Sequence, residues 1–302
     1  MSTIIRAFDG SLDDAEGLLM VEAATFSESP YSPEEVRGML TGGPQRAWLA
    51  LGDGEVVGFV VGFLTQGLQG RCWEIDLLAV LPAWRGYGLA TRLIRVASGY
   101  GARLAPRARA VTADDNSASQ RAFTRAGFLP GPEMCHLLIQ RLEGLQPWAP
   151  QTVGVRVRKA SSSAELGPWL PDLQDLPQRP GLSLLVAEQH GNVTGYAELL
   201  QVETLLYRGV WIETLSAQSR AARAALVREA TNWALLAGLE EIGAMVPQED
   251  RAAQQALRAA GFRSLGAFQW LLADLPLPGL ATSGSDGDPS LPSAGRRVDA
   301  DV

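Results

Sequence analysis

The run Val80-Leu81-Pro82-Ala83-Trp84-Arg85-Gly86-Tyr87-Gly88-Leu89-Ala90 holds the residues of this chain best suited to chemistry. Arg85 to Ala90 has the form Arg-x-x-Gly-x-Ala. Glycine at 88 keeps a side chain out of the path of an approaching phosphate, and Ala90 keeps the first helical turn slim. Backbone N–H groups at such a turn, at the positive end of a helix, bind phosphate. A tight strand-to-helix turn without a ligand fits the same residues. Two acids come just before the loop, Glu74 and Asp76. Strand alternation puts Glu74, Asp76 and Leu78 on one face. A carboxylate there could take a proton, although a solvated strand face would carry the same residues.

A strand, a turn and a helix must position these groups. The apolar run Ile75 to Leu81 predicts the end of a strand, Cys72 to Val80, and Leu89 to Tyr100 predicts an amphipathic helix. Ahead of them, Ile4 to Phe8 reads as a strand. Ser11 and Ser32 read as N-caps of two helices, the second with Pro33 at its first position and Glu35 completing a capping box. Strands at Arg46 to Leu51 and Glu55 to Thr65 flank a turn at Gly52-Asp53-Gly54. A strand at Arg107 to Thr112, a helix from Ser117 to Ala126 closed by Gly127, and a strand at Cys135 to Leu142 follow.

Gly144 to Gly154 has two prolines and little periodicity, and reads as a boundary. The order of elements then repeats. Strands are predicted at Val153 to Lys159, Ser183 to Glu188, Thr194 to Val202, Val210 to Leu215 and Glu241 to Val246. Helices are predicted at Ala221 to Ala237 and Arg251 to Ala260. Arg125-Ala126-Gly127-Phe128 ends one helix and Arg258-Ala259-Ala260-Gly261-Phe262 ends its counterpart, so the halves read as copies of one α+β unit. The expected organisation is a first domain over 1–145, a second over 146–275, and a disordered tail over 276–302, which is rich in Pro, Gly, Ser and Asp.

Composition narrows the partners. The net charge of −7 lacks a basic footprint for nucleic acid. Cys72 and Cys135 make no disulfide framework and, with His136 and His190 far apart in sequence, no zinc spacing. No apolar run is long enough for a membrane span, and the N-terminus lacks a signal pattern, so the expected location is the cytoplasm.

The loop and a second motif together carry a family resemblance. Val80-x-Pro82-x-x-Arg85-Gly86-x-Gly88-x-Ala90 is followed by Asn116-x-x-Ser119-x-x-x-Phe123-x-x-x-Gly127-Phe128. Over nearly all of Thr3 to Leu142 the chain resembles the GCN5-related N-acetyltransferases (GNAT). The resemblance implies two tandem folds of mixed α+β class. Each would be a mostly antiparallel sheet splayed at a parallel pair and flanked by helices. It implies acetyl-CoA as acetyl donor, no metal, and as acceptor a primary amine of a small molecule or a peptide N-terminus, in a monomer or homodimer. The pyrophosphate would lie on the amides of Arg85, Gly86, Tyr87, Gly88, Leu89 and Ala90. The pantetheine arm would pair with Leu78, Ala79 and Val80, and the amide of Leu78 or Ala79 would hold the developing oxyanion. Asn116, with Ser119 and Phe123 on the same helix, would approach the pantetheine or sulfur region, although Asn116 also fits an N-cap. Glu74 matches a catalytic glutamate of some members and is the expected base, directly or through water, with Asp76 in reserve. Phe123 departs from the pattern. Many members have a tyrosine there whose hydroxyl protonates the leaving thiolate.

The second copy departs further. Arg220-Ala221-Ala222-Arg223-Ala224-Ala225 stands in the loop position, Asp250 matches Asn116, and Leu257 matches Phe123. The Gly-rich turn has become a run of helix formers. This half reads as a structural partner that helps shape the acceptor pocket, in a layout similar to that of the mycothiol synthases. The alternative reading of the whole chain is a CoA-thioester sensor or interaction protein that has lost transfer.

Overall fold

The computed structural model of the protein describes residues 3–26, 30–148, 154–173, 175 and 181–276. The tail from 277 onward and parts of the inter-half segment lie outside these residues. The first half contains β1 (Thr3–Ala7), α1 (Leu12–Thr25), α2 (Pro33–Gly42), β2 (Gln45–Gly52), β3 (Glu55–Gly67), β4 (Gly70–Val80), α3 (Leu89–Gly101), β5 (Arg107–Ala113), α4 (Ser117–Arg125) and β6 (Leu129–Arg141). The second contains β7 (Arg156–Lys159), β8 (Leu182–Gln189), β9 (Asn192–Glu203), β10 (Arg208–Ala217), α5 (Arg220–Leu236), β11 (Glu241–Pro247), α6 (Arg251–Ala259) and β12 (Arg263–Asp274). Local chemistry accounts for many of the boundaries. Ser11 and Ser32 cap α1 and α2, and Glu35 completes the capping box on Ser32. Asp53 and Gly54 turn the β2–β3 hairpin with φ of 52° and 92°, and His190 and Gly191 turn β8–β9 with 50° and 80°.

All twelve strands form one sheet in the order β1-β2-β3-β4-β5-β12-β6-β11-β10-β9-β8-β7. Among the described residues only β4–β5 and β10–β11 pair in parallel. The final strands described in the two halves are exchanged. The strand β12 completes the first half by pairing with β5 from Phe268–Ala113 to Asp274–Arg107. In return β6 completes the second half by pairing with β11, and β6 and β12 pair with each other at the centre. The sequence pattern reads no strand at β12. The helices α3 and α4 cover one face of the first half, over a core of Trp73, Ile75, Leu93, Ile94 and Phe128 that also holds Leu271 of β12. In the same way Leu138 of β6 sits in the core under α5 and α6.

Both parallel pairs are short, and both end at a bulge. β4 and β5 pair from Trp73–Ala108 to Ile75–Ala110, and the next residue of β4, Asp76, is left out of the β3–β4 register. β10 and β11 pair as far as Ile212–Ala244, and the next residue of β10, Glu213, is left out of the β9–β10 register. An extra residue reverses the alternation beyond it. Trp73 and Ile75 face the core under α3, and past the bulge Leu78 and Val80 take over that role.

 Leu77 and Ala79 point instead into the core beneath α1 and α2. The expectation that Glu74, Asp76 and Leu78 share a face is therefore corrected. The bulge at Asp76 turns Leu78 to the side opposite Glu74.

The sheet also curls until β3 meets β9. Leu68 N–H, in the β3–β4 turn, donates to Glu198 Oε1 at 2.6 Å, and Leu205 N–H donates to Gln45 Oε1 at 3.1 Å. Leu271 tests the exchange. It is 2% exposed, and Leu271→Ala should cost about 2–5 kcal/mol. Because this residue of β12 completes the first half's core, urea unfolding should show one transition displaced as a whole. A separate, unshifted transition for either half would contradict the exchange.

Candidate active site

The glycine loop lies between the splayed end of β4 and α3. Gly86 and Gly88 have φ of +86° and +74°, and a Cβ on either would meet nothing within 4 Å. Positive φ explains why these positions suit glycine, and the open space leaves the loop backbone accessible. Gly88 is the N-cap of α3 and has no side chain to cap with. The first bond of the helix runs from Arg92 N–H to Gly88 C=O at 3.1 Å, so the amides from Gly86 to Ala90 remain open to an outside acceptor, whereas the Arg85 N–H, expected to join them, is taken by Pro82 C=O at 3.2 Å.

Beyond Ile75, β4 has lost β5 as a partner. Leu81 N–H still donates to Val57 C=O of β3, while Val80 C=O points the other way and accepts from Arg85 Nε at 3.0 Å. Alternation then turns the Ala79 N–H toward β3 and the Leu78 N–H into the gap between β4 and β5. Of the two amides that sequence reasoning leaves open, Leu78 is the one that faces the splay.

The second motif forms α4. Asn116 Oδ1 accepts from Ser119 N–H at 3.1 Å, which is the N-cap role. Phe123 is 3% exposed and packs edge-to-face on Phe128, with ring centroids 5.1 Å apart. It is a core side chain with no proton to give.

Glu74 is buried and heavily engaged. Both its oxygens lie 2.8 Å from Arg109 Nε, and Oε1 also accepts from the Thr65 hydroxyl at 2.5 Å. Arg109 uses its other two nitrogens on Glu213, at 2.6 and 2.9 Å, and stacks on Trp270 at 4.5 Å. One guanidinium thus joins a carboxylate from each half. Burial pushes Glu74 up to about 7 despite Arg109 and Thr65, and Glu213 adds to the rise. Burial works against the Arg109 cation, but Glu74 and Glu213 outweigh it and raise its pKa.

Asp76 differs. Its Oδ2 is buried without a hydrogen-bond partner. Burial pushes this carboxyl up to about 6, against a hydrogen bond from Thr204. Burial also lifts the neighbouring Cys72 thiol to about 12, so it is protonated and unreactive at neutral pH. Among the described residues no group of His, Cys, Asp or Glu is arranged to hold a metal ion, and no helix is long and apolar enough to cross a membrane.

Glu74, Asp76 and Arg109 open onto a cavity of about 830 Å³ on the inner side of the curled sheet. Its walls come from both halves: Phe63 and Val111 from the first, Trp211 and Leu200 from the second, and Ile139 and Trp270 from the exchanged strands. Sequence reasoning missed Arg109, Glu213 and Trp270. Glu213 occupies the same bulge position in the second copy as Asp76 in the first, a match hidden by the different lengths of the loops that follow. In the second copy only two residues separate the end of β10 from α5, which begins at Arg220, and the Ser219 hydroxyl accepts from Ala222 N–H at 3.1 Å. The open loop is absent there and a first-turn amide is already capped.

Residues 16–128 match the model of the acetyltransferase (GNAT) family. The fold is similar to that of a GCN5-related N-acetyltransferase from Sphaerobacter thermophilus, with a TM-score of 0.57 and 20% identity over 90% of this chain and 96% of that one. It is also similar to a tandem GNAT protein from the clavulanic acid biosynthesis pathway, with a TM-score of 0.54 and 11% identity over 91% and 99% of the two chains. No curated protein matches the sequence. Residues 16–128 thus match the GNAT family, and the chain as a whole has a fold similar to that of tandem GNAT proteins.

The state of Asp76 can be read from stability. Its folded pKa, about 6, lies above the ordinary 3.8, so the folded protein binds the extra proton between those values. Stability from this group falls as pH rises through that window and stays reduced above it. Asp76→Asn should therefore flatten the dependence there and stabilise the protein near neutral pH, by at most about 3 kcal/mol. Urea midpoints of both proteins across the window measure this, and parallel curves would refute it.

Proposed function

We propose that the protein is an acetyl-CoA-dependent N-acetyltransferase acting on a primary amine of a small molecule or a peptide N-terminus. In this reading the first half, 1–145, carries out the transfer and the second, 146–275, walls the acceptor cavity. The observation that carries the proposal is the junction of three features: open loop amides before α3, an unpaired β4 edge at Leu78, and a cavity holding a buried, unpartnered carboxylate oxygen.

The amides from Gly86 to Ala90 hold the pyrophosphate, and Arg85 keeps its own N–H on Pro82 C=O at the start of the loop. The free edge of β4 from Leu78 to Val80 aligns the pantetheine arm as an added strand would be aligned. Asn116 and Ser119 begin the helix beside that arm, and Phe123 backs it from the core. Asp76 is ionised at neutral pH and takes a proton from the acceptor's ammonium group. The freed nitrogen attacks the thioester carbonyl, forming the C–N bond as the C=O pair moves to oxygen. Leu78 N–H holds that oxyanion. Collapse breaks the C–S bond and CoA leaves as thiolate, a leaving group that needs no tyrosine at 123. Of the two protons then on nitrogen, one passes to solvent and the other stays on the amide product. Asp76 is preferred to Glu74 as base because Glu74 is committed to Arg109 and Thr65. Glu74 acts as a positioning residue that fixes Arg109.

Gly88→Glu tests the donor site. It places a carboxylate on the phosphate-binding turn at a left-handed φ and should weaken acetyl-CoA binding by at least about tenfold. Titration calorimetry measures this, with circular dichroism to check the fold, and unchanged affinity would refute the site. Phe123 favours a second reading, a CoA-thioester sensor, because it lacks the hydroxyl. Tight acetyl-CoA binding with no CoA release across a broad amine panel would select that reading.

A further inference from the structure

Resting on the acetyltransferase reading, we infer that the acceptor is a small amine with a single cationic nitrogen on an apolar, aromatic body, the nitrogen on Asp76 and the body in the cavity shared by the two halves. Three observations support the assignment. The first is charge. Arg109, within the cavity, bridges two carboxylates, Glu74 and Glu213, so that cluster leaves no positive charge over. Asp76 adds a carboxylate with one buried oxygen that nothing in the protein satisfies. A buried carboxylate oxygen without a partner is costly, and an ammonium group supplies both the charge and the hydrogen bond.

The second observation is the wall. Phe63, Tyr207, Trp211, Phe268 and Trp270 all line the cavity. The Tyr207 hydroxyl is already spent on Val210 C=O at 2.5 Å, and its ring meets Trp211 edge-to-face with centroids 5.9 Å apart. These rings make up the body of the wall, although Gln140, Arg141, Glu241 and Arg263 also line the cavity and Gln140 Oε1 is buried without a partner. A sugar would still lay hydroxyls against the rings, and a peptide would bring an N–H and a C=O with each residue. An aromatic amine brings neither burden.

The third observation is size and enclosure. A cavity of about 830 Å³ is the volume of a small-molecule site. Strands β9 and β10 close it on the side where the first half alone would leave it open. The second copy's contribution is thus a specificity wall, with Trp211 its central residue.

The experiment uses the full chain. Acetyl-CoA affinity is measured by calorimetry, and CoA release is then followed with 2-phenylethylamine, tryptamine, ethanolamine, spermidine, glucosamine and an alanine-initiated tripeptide. The expected kcat/KM for the two aryl amines is at least about 100-fold above the others. Trp211→Ala should raise KM for 2-phenylethylamine at least about tenfold with little change in kcat or in acetyl-CoA affinity. Asp76→Asn should lower kcat/KM by at least about 100-fold. If acetyl-CoA binds and the polar amines or the tripeptide react as well as the aryl amines, the assignment is overturned while the acetyltransferase reading stands. If acetyl-CoA binds and no amine reacts, the assignment falls and the sensor reading holds. If acetyl-CoA does not bind, both fall.

Discussion

Each half of this protein lacks the strand that would complete its own sheet. Without β12, the outer edge of β5 would present a row of unpaired N–H and C=O groups, and without β6 the edge of β11 would do the same. The exchange covers both edges and makes β6–β12 the centre of a single sheet. The halves cannot part without exposing that backbone and the apolar side chains the exchanged strands carry. This constraint builds the cavity. A continuous sheet of twelve twisted strands must curl, and Glu198 and Gln45 fasten the curl by holding backbone amides of the opposite half. The concave face then belongs to both copies at once.

A bulge in each copy sets the chemistry within that frame. On β4 the extra residue, Asp76, ends the pairing with β5 and frees the Leu78 amide on the far side of the strand. One local irregularity thus aims a carboxylate at the cavity and an N–H at the splay. On β10 the equivalent residue is Glu213, also acidic, but it is committed to Arg109 of the first half. The partners of the two parallel pairs diverge in the same way. Where the first copy has Glu74 beside Arg109, the second has Trp211 beside Gly243. A Cβ on Gly243 would come within 3.0 Å of the Trp211 ring, so the second copy has given up an ion pair for an aromatic wall.

Features that depend on short stretches of chain were legible in the sequence. The capping box at Ser32, the hairpin turns and the strand-loop-helix order around Gly88 follow from local residue preference, and most of the observed elements start or stop within a few residues of the expected places, although β6 begins at Leu129 rather than at Cys135. The loss of the loop in the second copy was also legible, because Arg220 to Ala225 contains no residue suited to a left-handed turn. Features set by long-range pairing were not. An alternating pattern records which face of a strand is apolar, and says nothing about which edge it joins, so the exchange of β6 and β12 left no trace in it. The bulge at Asp76 likewise depends on the length of β3 opposite, and it reversed the face assigned to Leu78. Arg109 looked like an ordinary residue on a short strand. Its role exists only because Glu213 comes across from the other half.

The Arg109 cluster also ties the second half, which lacks the open glycine loop, to the cavity of the first. An arginine facing only Glu74 would leave the cavity close to neutral apart from Asp76, and the guanidinium would have unused donors in a poorly hydrated place. Glu213 satisfies those donors and offsets the cation. Burial outweighs Arg109 at Glu74 and Glu213 adds to the rise, which is why Glu74 titrates high even with a cation at 2.8 Å. The second copy therefore supplies charge through Glu213 and shape through Trp211, while Ser219 closes off the helix end at which its own phosphate site would have stood.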